Sequence, residues 1–408
     1  MKKKLRVGLI YGGKSGEHEV SLQTAKAVIG AFDFTRYEVV PFYITPEGRW
    51  RRAGVLTGPV ATIDELRLTG PAAQSDSAVL APIFASVKPA LRGGAGEGAV
   101  GGGDGGSVGV GDDGGGEGVG GGAVGHGAGG ADDACDRPID VVFPLLHGTN
   151  GEDGTIQGLL EIANIPYVGA GVLASAVGMD KVMMKKIFAQ EGLPQCVYRY
   201  FTRKQWEQDP SFFLMEIEIT LGYPCFVKPA NLGSSVGVSK AKNREELIRA
   251  VEYAFRFDRK VIVEEFVDAR EIEVSVLGND EPRASVPGEI VSSGDFYDYR
   301  AKYIDGKSTM IIPAELPAAL SEEIRSMAIR AFRAIDASGL SRVDFFVRRS
   351  DSAVMINEIN TMPGFTPFSM YPLLWRESGL SYGELLDELI RLALERYNEK
   401  QQLTYGNE

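Results

Sequence analysis

The pattern of apolar and polar positions along the first part of the chain predicts strands that alternate with helices. Residues 5–11 are apolar enough for a first strand, Gly12-Gly13 predicts a turn, and EVSLQTAKAVIGAF carries apolar residues at helical spacing. YEVVPFYIT and IDVVFPLLHG predict two further strands, and the second is nearly all apolar, as buried parallel strands are. GEDGTIQGLLEIAN then begins another helix. This order favours an open parallel α/β sheet.

From Met179 onward, the pattern predicts a small α+β unit followed by a C-terminal one. MDKVMMKKIFAQEGLP predicts a helix that ends at Gly192, and YPCFVKPANLGSSVGVSK predicts two strands joined by a glycine-serine loop. NREELIRAVEYAFRF predicts a helix capped at Asn243, and KVIVEEFV and REIEVSVLG predict strands. Beyond them we predict a loop at 295–313, helices at 318–338 and 382–398, and the strands SRVDFFVRR and AVMINEIN.

A glycine-rich tract interrupts the first of these units. From Gly93 to Gly130, 22 of the 38 residues are glycine, mixed mainly with Asp, Glu and Ala. Ordering such a segment would cost backbone entropy while burying few side chains. We therefore predict a flexible, acidic surface excursion. The tract contains no Lys or Arg, so we do not expect it to hold phosphate.

Composition excludes several classes of function. The chain has 408 residues, 44% hydrophobic and 24% charged, which suits a globular protein of two or three domains. A formal net charge of −12 argues against nucleic acid or an anionic membrane as a partner. The three cysteines (Cys135, Cys196 and Cys225) show no CxxC spacing, which is typical of a reduced, cytosolic protein.

The opening MKKKLRVGLIYGG resembles a signal peptide only superficially. Its apolar run is short and contains Arg6, so we interpret it as the first strand. No segment is long enough to span a membrane, and we expect a cytoplasmic protein.

Paired polar residues on two strands predict a cation site. Glu358 and Asn360 alternate with apolar residues in AVMINEINTMPGF and therefore share one face, as Arg342 and Asp344 do in SRVDFFV. If the two strands pair, three oxygen ligands of the kind that Mg²⁺ prefers converge beside an arginine. That arginine would offset charge that builds on a transferring phosphoryl group or a tetrahedral carbon. The alternatives are a half-exposed edge strand and a surface ion pair.

Two further segments suggest nucleotide binding. In VKPANLGSSVGVSK, Lys228 ends a strand, the glycines permit close approach of backbone N–H groups to phosphate, and the serines add donors. This is not the P-loop pattern, because the lysine precedes the loop and no helix follows, and a plain β-hairpin is the alternative. In VIVEEFVDAREIEV, backbone groups at the strand end could hold a purine, with Glu271 on the ribose. Acidic residues at strand ends are common, so this segment alone is weak evidence for nucleotide binding.

Eight segments occur together in an order that resembles the D-alanine–D-alanine ligases of the ATP-grasp superfamily. They are YGGKSGEHEVS, LHGTNGEDGTIQGLLE, GMDK, VKPANLGSSVG, EEFV with REIEV, FYDYRAKY, SRVDFF and NEINTMPGFTPFSM. They cover nearly the whole chain outside the glycine-rich tract. Phe266 departs from the pattern, since some relatives have tryptophan there.

The resemblance implies a three-domain ATP-grasp fold, in which the last two domains clamp ATP. The expected domains are an α/β substrate domain at 1–180 with the insertion at 93–130, a small central α+β domain at 181–270, and a C-terminal α+β catalytic domain at 271–408 with a lid at 294–310. It also implies a reaction. ATP phosphorylates the carboxylate of one D-alanine, and the amine of a second D-alanine attacks the acyl phosphate.

The resemblance also implies a role for each matching residue. The nucleotide would be held by Lys181, Lys228, Ser235, Glu264, Glu265, Phe266, Val267, Glu271 and Lys302. Two Mg²⁺ or Mn²⁺ ions would be held by Asp344, Glu358 and Asn360. Catalysis would involve Glu17, Ser234, Tyr303, Arg342, Gly364 and Ser369, and the two D-alanines would be bound by Glu17, His147, Lys302 and Ser369. In this resemblance, Ser234 and Tyr303 form a hydrogen-bonded set with Glu17, and Ser369 and Lys302 bind the carboxylate of the second D-alanine.

Other functions remain open at this stage. A D-alanine–D-lactate ligase differs only in its nucleophile, and Tyr303 in FYDYRAKY favours the dipeptide because depsipeptide-forming relatives have a different loop. A catalytically silent ATP-binding sensor would have lost a metal ligand or the arginine, and neither is missing. A protein kinase is excluded because the HRD and DFG elements are absent. The expected partners are ATP and two D-alanines, and the oligomeric state is open between a monomer and a homodimer.

Overall fold

The computed structural model describes residues 3–69, 138–291 and 309–404. The glycine-rich insertion at 93–130 lies outside these residues. So does most of the predicted lid at 294–310, including Lys302 and Tyr303.

The described residues form the strands β1 (Leu5–Gly12), β2 (Tyr37–Ile44), β3 (Trp50–Arg52), β4 (Val141–Leu145), β5 (Tyr198–Thr202), β6 (Cys225–Pro229), β7 (Ser239–Ala241), β8 (Lys260–Glu265), β9 (Ala269–Gly278), β10 (Arg283–Ala284), β11 (Gly288–Val291), β12 (Thr309–Ile311), β13 (Gly339–Arg348) and β14 (Val354–Asn360). They form the helices α1 (His18–Ala31), α2 (Thr155–Ile162), α3 (Val172–Met179), α4 (Lys181–Gln190), α5 (Arg203–Gln208), α6 (Pro210–Thr220), α7 (Arg244–Ala254), α8 (Ala318–Ala334), α9 (Met370–Glu377) and α10 (Tyr382–Lys400).

The N-terminal sheet has the strand order β3-β2-β1-β4. β1 pairs in parallel with β2 and β4, which confirms the predicted open parallel sheet, and the short β3 adds an antiparallel edge. Nearly every residue of β1 and β4 is buried, because helices cover such sheets on both faces. The carboxyl ends of β1 and β4 lead into the loops that carry Glu17 and His147.

The central sheet is antiparallel, with the order β5-β8-β6-β7. α6 and α7 bury Leu214, Ile217, Leu247 and Val251 against it. The predicted cap of α7 is confirmed, because the Asn243 side chain accepts a hydrogen bond from the backbone N–H of Glu246.

The C-terminal sheet is also antiparallel, with the order β12-β11-β9-β13-β14 and β10 attached to β9. α8 covers it and buries Ile324, Ala328 and Phe332 in the same core as Val274 and Val343. α8 ends at Ala334 rather than at 338, because Asp336 adopts a left-handed conformation (φ 57°) that the helix cannot continue through. β12 occupies part of the predicted loop at 295–313.

Two hydrophobic cores tie the sheets together. The core of β1 and α1 extends to Tyr371 and Trp375 of α9 and to α10. Met184 and Phe188 of α4 pack into the core of the C-terminal sheet. The three sheets fit the three-domain ATP-grasp fold, and the domain boundaries at 180 and 270 stay a prediction.

Within the three described ranges, no helix combines the length and the apolar character needed to cross a bilayer.

Candidate active site

A cleft of about 600 Å³ lies between the central and C-terminal sheets. The predicted site residues that line it are Lys181, Lys228, Ser234, Ser235, Glu264, Glu265, Phe266, Val267, Glu271, Asp344 and Glu358. All the described residues predicted to hold the nucleotide are therefore brought together. Glu17, His147, Arg342, Asn360, Gly364 and Ser369 do not line this cleft.

One end of the cleft is aromatic and basic. The Phe266 ring is 39% exposed and lies 6.2 Å from the Phe226 ring, and the Lys240 ammonium lies 4.3 Å above the Phe266 centroid. The sequence prediction missed Phe226 and Lys240. Strand alternation carries a signal for both, because Phe226 shares a face of β6 with Lys228 and pairs with Lys240 on β7. This end of the cleft suits a flat, polarisable ring.

Three charged side chains meet at the wall of the cleft: Lys228 and Glu264 line it, and the buried Lys185 lies behind them. Glu264 is 3% exposed; one of its oxygens lies 2.8 Å from Lys185 Nζ and the other 2.5 Å from Lys228 Nζ. Burial alone would raise the pKa of Glu264, but the two lysines outweigh it and hold that pKa far below its ordinary value. Burial lowers the pKa of Lys228, but Glu264 reverses the shift and raises it. Glu264 is thus ionised at neutral pH, and the sequence prediction missed Lys185.

The glycine-serine loop between β6 and β7 has an unusual backbone. Ser234 and Ser235 adopt left-handed conformations, with φ of 50° and 57°, which non-glycine residues seldom do. Gly237 is required, since its φ is 76° and a Cβ there would lie 2.6 Å from Pro229. Lys181 approaches the loop by donating a hydrogen bond to the Leu232 carbonyl oxygen at 2.9 Å. Strained backbone of this kind is common at ligand-binding loops.

The two strands with paired polar residues do pair with each other. In the β13–β14 register Arg342 opposes Asn360 and Asp344 opposes Glu358. Arg342 donates two hydrogen bonds to Asp344, each of 2.7 Å, and its Nε lies 3.0 Å from Glu273 Oε2. Burial lowers the pKa of Arg342, but the two carboxylates outweigh it and raise that pKa well above its ordinary value.

The oxygen ligands at this strand pair have the chemistry that Mg²⁺ prefers. Asp344 and Glu358 supply carboxylates, and Asn360 lies close enough to donate to Asp344 Oδ2 at 3.0 Å. Lys181 Nζ lies 3.6 Å from Glu358 Oε2. Among the described residues, no group of three His, Cys, Asp or Glu side chains is arranged as a metal site. The site would therefore rest on two carboxylates and an amide, with the remaining positions filled by water or phosphate oxygens.

Glu17 connects the N-terminal domain to the glycine-serine loop. It is 8% exposed and accepts a hydrogen bond from the Ser234 hydroxyl, as the sequence resemblance implied. A Cβ at Gly148 would lie 2.5 Å from Glu17 Oε2, so the carboxylate needs a glycine at that position. The third member of the implied set, Tyr303, lies outside the described residues.

His147 is 4% exposed and lies next to this carboxylate. Its Nε2 lies 3.1 Å from the Thr24 hydroxyl oxygen, and its Nδ1 lies 3.8 Å from Glu152 Oε1. Burial lowers the pKa of His147, but Glu152 and Glu17 reverse the shift and raise it above its ordinary value. Glu152 was missed from the sequence. Its position in HGTNGED, five residues beyond the histidine, is the only signal for it.

Gly364 and Ser369 belong to the loop between β14 and α9. A Cβ at Gly364 would lie 3.0 Å from Ser369 Oγ, so the backbone and this hydroxyl approach closely. Ser369 Oγ accepts a hydrogen bond from the Thr366 backbone N–H at 3.1 Å. Lys302, which the resemblance paired with Ser369, lies outside the described residues.

Comparison with known proteins places this arrangement in a family. The family model for the D-ala D-ala ligase N-terminus matches residues 6–170, and the model for the D-ala D-ala ligase C-terminus matches residues 187–391. The chain is 51% identical to a D-alanine–D-alanine ligase of Bacillus cytotoxicus over 98% of this chain and 99% of that protein. It is 52% identical to one of Geobacillus kaustophilus over 98% of both.

Solved structures agree with the sequence matches. A D-alanine–D-alanine ligase from Coxiella burnetii superposes with a TM-score of 0.72 at 32% identity, covering 98% of this chain and 96% of that one. A D-Ala:D-Ser ligase from Enterococcus faecalis gives a TM-score of 0.74 at 31% identity, covering 96% of this chain and 100% of that one. This chain therefore belongs to the D-alanine–D-alanine ligase family.

Proposed function

We propose that this chain joins two molecules of D-alanine into D-alanyl-D-alanine, with ATP as the energy source and D-alanyl phosphate as the intermediate. One observation carries the proposal. In this member of the ligase family, the described residues predicted to bind the nucleotide line one cleft, and Asp344 and Glu358 of the β13–β14 pair line it too.

The cleft would bind ATP with its base at the aromatic end. Phe266 would pack near the adenine, backbone groups of Glu265 and Val267 would bind its edge, and Glu271 would bind the ribose. Lys181 and Lys228 would meet the triphosphate as positive charges, and the Ser235 region would add donors. The exposed face of Phe266 and the presence of Lys181 and Lys228 in the lining of the same cleft support this assignment.

Asp344, Glu358 and Asn360 would hold two magnesium or manganese ions. The ions would neutralise charge on the phosphates. Arg342 contacts Asp344 and Glu273. If Asp344 holds an ion, Arg342 would lie beside the charge that forms during phosphoryl transfer. With the Gly364 backbone N–H, it would stabilise the oxyanion of the tetrahedral intermediate.

The first D-alanine would bind through its ammonium to Glu17, with His147 nearby. One of its carboxylate oxygens forms a bond to the γ-phosphorus of ATP, and the bond between that phosphorus and the ADP oxygen breaks. The second D-alanine would bind through its carboxylate to Ser369 and Lys302. After losing a proton, its amine attacks the acyl carbon, the C–N bond forms and inorganic phosphate leaves. The Glu17–Ser234–Tyr303 set would assist the loss of that proton.

The product would supply peptidoglycan precursor synthesis, and we propose a cytoplasmic location for the enzyme. The choice of second substrate deserves a direct test, because one structural relative is a D-Ala:D-Ser ligase. The experiment is to supply ATP, Mg²⁺ and D-alanine, then D-lactate or D-serine in competition, and to identify the products by mass. We expect D-alanyl-D-alanine to dominate at neutral pH. A predominant depsipeptide or D-Ala-D-Ser product would contradict the specificity, and phosphate release that does not depend on D-alanine would contradict the ligase function.

A further inference from the structure

Lys185 is a fully buried charge that the proposed reaction does not use. It lies on α4, is 1% exposed, and does not line the nucleotide cleft. Its ammonium lies 2.8 Å from Glu264 Oε1 and 5.7 Å from the centroid of the Tyr198 ring. Burying a lysine is costly even when it is paired, so a role in packing alone would be met better by an apolar side chain.

Strand geometry explains why Glu264 needs a second cation. Glu264 on β8 pairs directly with Phe226 on β6, so it shares a face of the sheet with Lys228. The two side chains therefore meet, and Lys228 Nζ lies 2.5 Å from Glu264 Oε2. If only Lys228 and Glu264 were present, their charges would sum to zero, and the ion pair would present no net positive charge to the cleft. With Lys185 added, two ammonium groups and one carboxylate leave a net charge of +1.

We infer that Lys185 is a positioning residue for nucleotide binding: it neutralises Glu264 from below, so that the charge of Lys228 remains available to the phosphates of ATP. This inference rests on the proposed function of the cleft. It assigns to Lys185 an electrostatic role that acts through Glu264, without contact with the nucleotide.

The test compares ATP binding by purified variants, measured by calorimetry with Mg²⁺ and without D-alanine. Lys185→Met removes the charge and keeps the length of the side chain. We expect at least about tenfold weaker ATP binding, because Lys228 would then be the only cation paired with the buried Glu264 carboxylate, and its charge would be neutralised there instead of at the phosphates. Lys186→Met is the matched control, since Lys186 is the next residue on α4, is exposed and lies over the Tyr200 ring. We expect it to bind ATP like the parent.

A double-mutant cycle separates charge balance from a general loss of structure. In the Glu264→Gln background there is no carboxylate for Lys185 to neutralise and none to hold Lys228 in an ion pair, so Lys185→Met should weaken ATP binding less than about threefold. An equal loss in both backgrounds would overturn the inference, and so would unchanged binding by a folded Lys185→Met variant. If Lys185→Met fails to fold on its own, ATP binding is compared between Glu264→Gln and the Glu264→Gln/Lys185→Met double variant. A loss of ATP affinity of about tenfold in that comparison overturns the inference.

Lys228→Met distinguishes this inference from the proposed function on which it rests. If Lys228→Met binds ATP as tightly as the parent, the proposed nucleotide role of the cleft fails and the inference falls with it. If Lys228→Met weakens binding while Lys185→Met does not, the proposed function stands and only the inference is overturned.

Discussion

Arg342 lies between two carboxylates, and its planar guanidinium is what allows it to contact both. Two of its nitrogens donate to Asp344, while its Nε also faces Glu273 at 3.0 Å. The ammonium of lysine is a point charge and cannot reproduce this fork. The position therefore requires arginine specifically.

We expect Arg342→Lys to lower kcat at least about a hundredfold, as the loss of a preorganised oxyanion donor does. Arg348→Lys is the matched control, because Arg348 lies on the same strand and forms a two-pronged pair with Asp351 that is exposed to solvent. Its kcat should stay within about twofold of the parent, as exposed ion pairs contribute little. Steady-state kinetics with D-alanine and ATP measure both variants. A change confined to KM for Arg342→Lys would contradict the proposed role.

At the residue scale, the site residues that belong to recognisable motifs could be predicted from the sequence. Those whose role depends on contacts between distant segments of the chain were missed. Glu358 and Asn360 could be predicted because strand alternation puts them on one face. Lys185 and Glu273 could not, since nothing in their local pattern shows that Glu264 or Arg342 lies against them. The role of a buried charged residue becomes clear only when its oppositely charged partner is known, and here that partner lies on a different helix or strand.

At the element scale, α4 carries Lys181 and Lys185 toward the nucleotide cleft, and its start is fixed by Asp180. The Asp180 side chain accepts hydrogen bonds from the backbone N–H groups of Val182 and Met183 and forms an ion pair with Lys260. Removing a helix cap of this type costs about 1 kcal/mol of stability, and a few tenths more where an ion pair is also lost.

We expect Asp180→Ala to lower the melting temperature and to raise the KM for ATP by about threefold or more, because small displacements of positioned groups are costly. Asn243→Ala is the matched control, since Asn243 caps α7, which lines no part of the cleft. It should lose similar stability while leaving the KM for ATP unchanged. Equal KM values in the two variants would show that the start of α4 does not position the site.

The helices and strands that could be predicted from the sequence are the long ones with a regular pattern of apolar residues. β1, β4, α7 and α10 were confirmed because their apolar periodicity matches the core they enter. Short elements such as β12 and α9 were missed, and α8 was drawn too long. Pairing with β11 forms β12, packing against the first core orders α9, and one left-handed residue ends α8. None of these causes can be recognised from the pattern of apolar and polar residues in the segment itself.

At the scale of the whole molecule, the proposed function depends on three sheets meeting at one place. Glu17 and His147 enter from the N-terminal sheet, Lys228 and Ser234 from the central one, and the strand pair β13–β14 from the C-terminal one. The first core joins α1 to α9 and α10, which fixes the N-terminal sheet beside the C-terminal domain.

The glycine-rich insertion is expected to contribute nothing to this assembly. Deleting Gly93 to Gly130 should leave kcat and both KM values within a few-fold of the parent, since shortening a long loop changes its closure entropy only slightly. The measurement is steady-state kinetics on the deletion variant, with its circular dichroism spectrum as a control for folding. A folded variant that has lost activity would show that the insertion has a function.

The central claim is that ATP activates the carboxylate of the first D-alanine, and oxygen transfer tests it most directly. D-Alanine labelled with ¹⁸O in both carboxylate oxygens is incubated with the enzyme, ATP and Mg²⁺, and the released phosphate is analysed by mass spectrometry. The acyl phosphate route predicts one ¹⁸O atom in each inorganic phosphate, with one phosphate and one D-alanyl-D-alanine formed per ATP consumed. Unlabelled phosphate, or label transferred to AMP, would contradict the account.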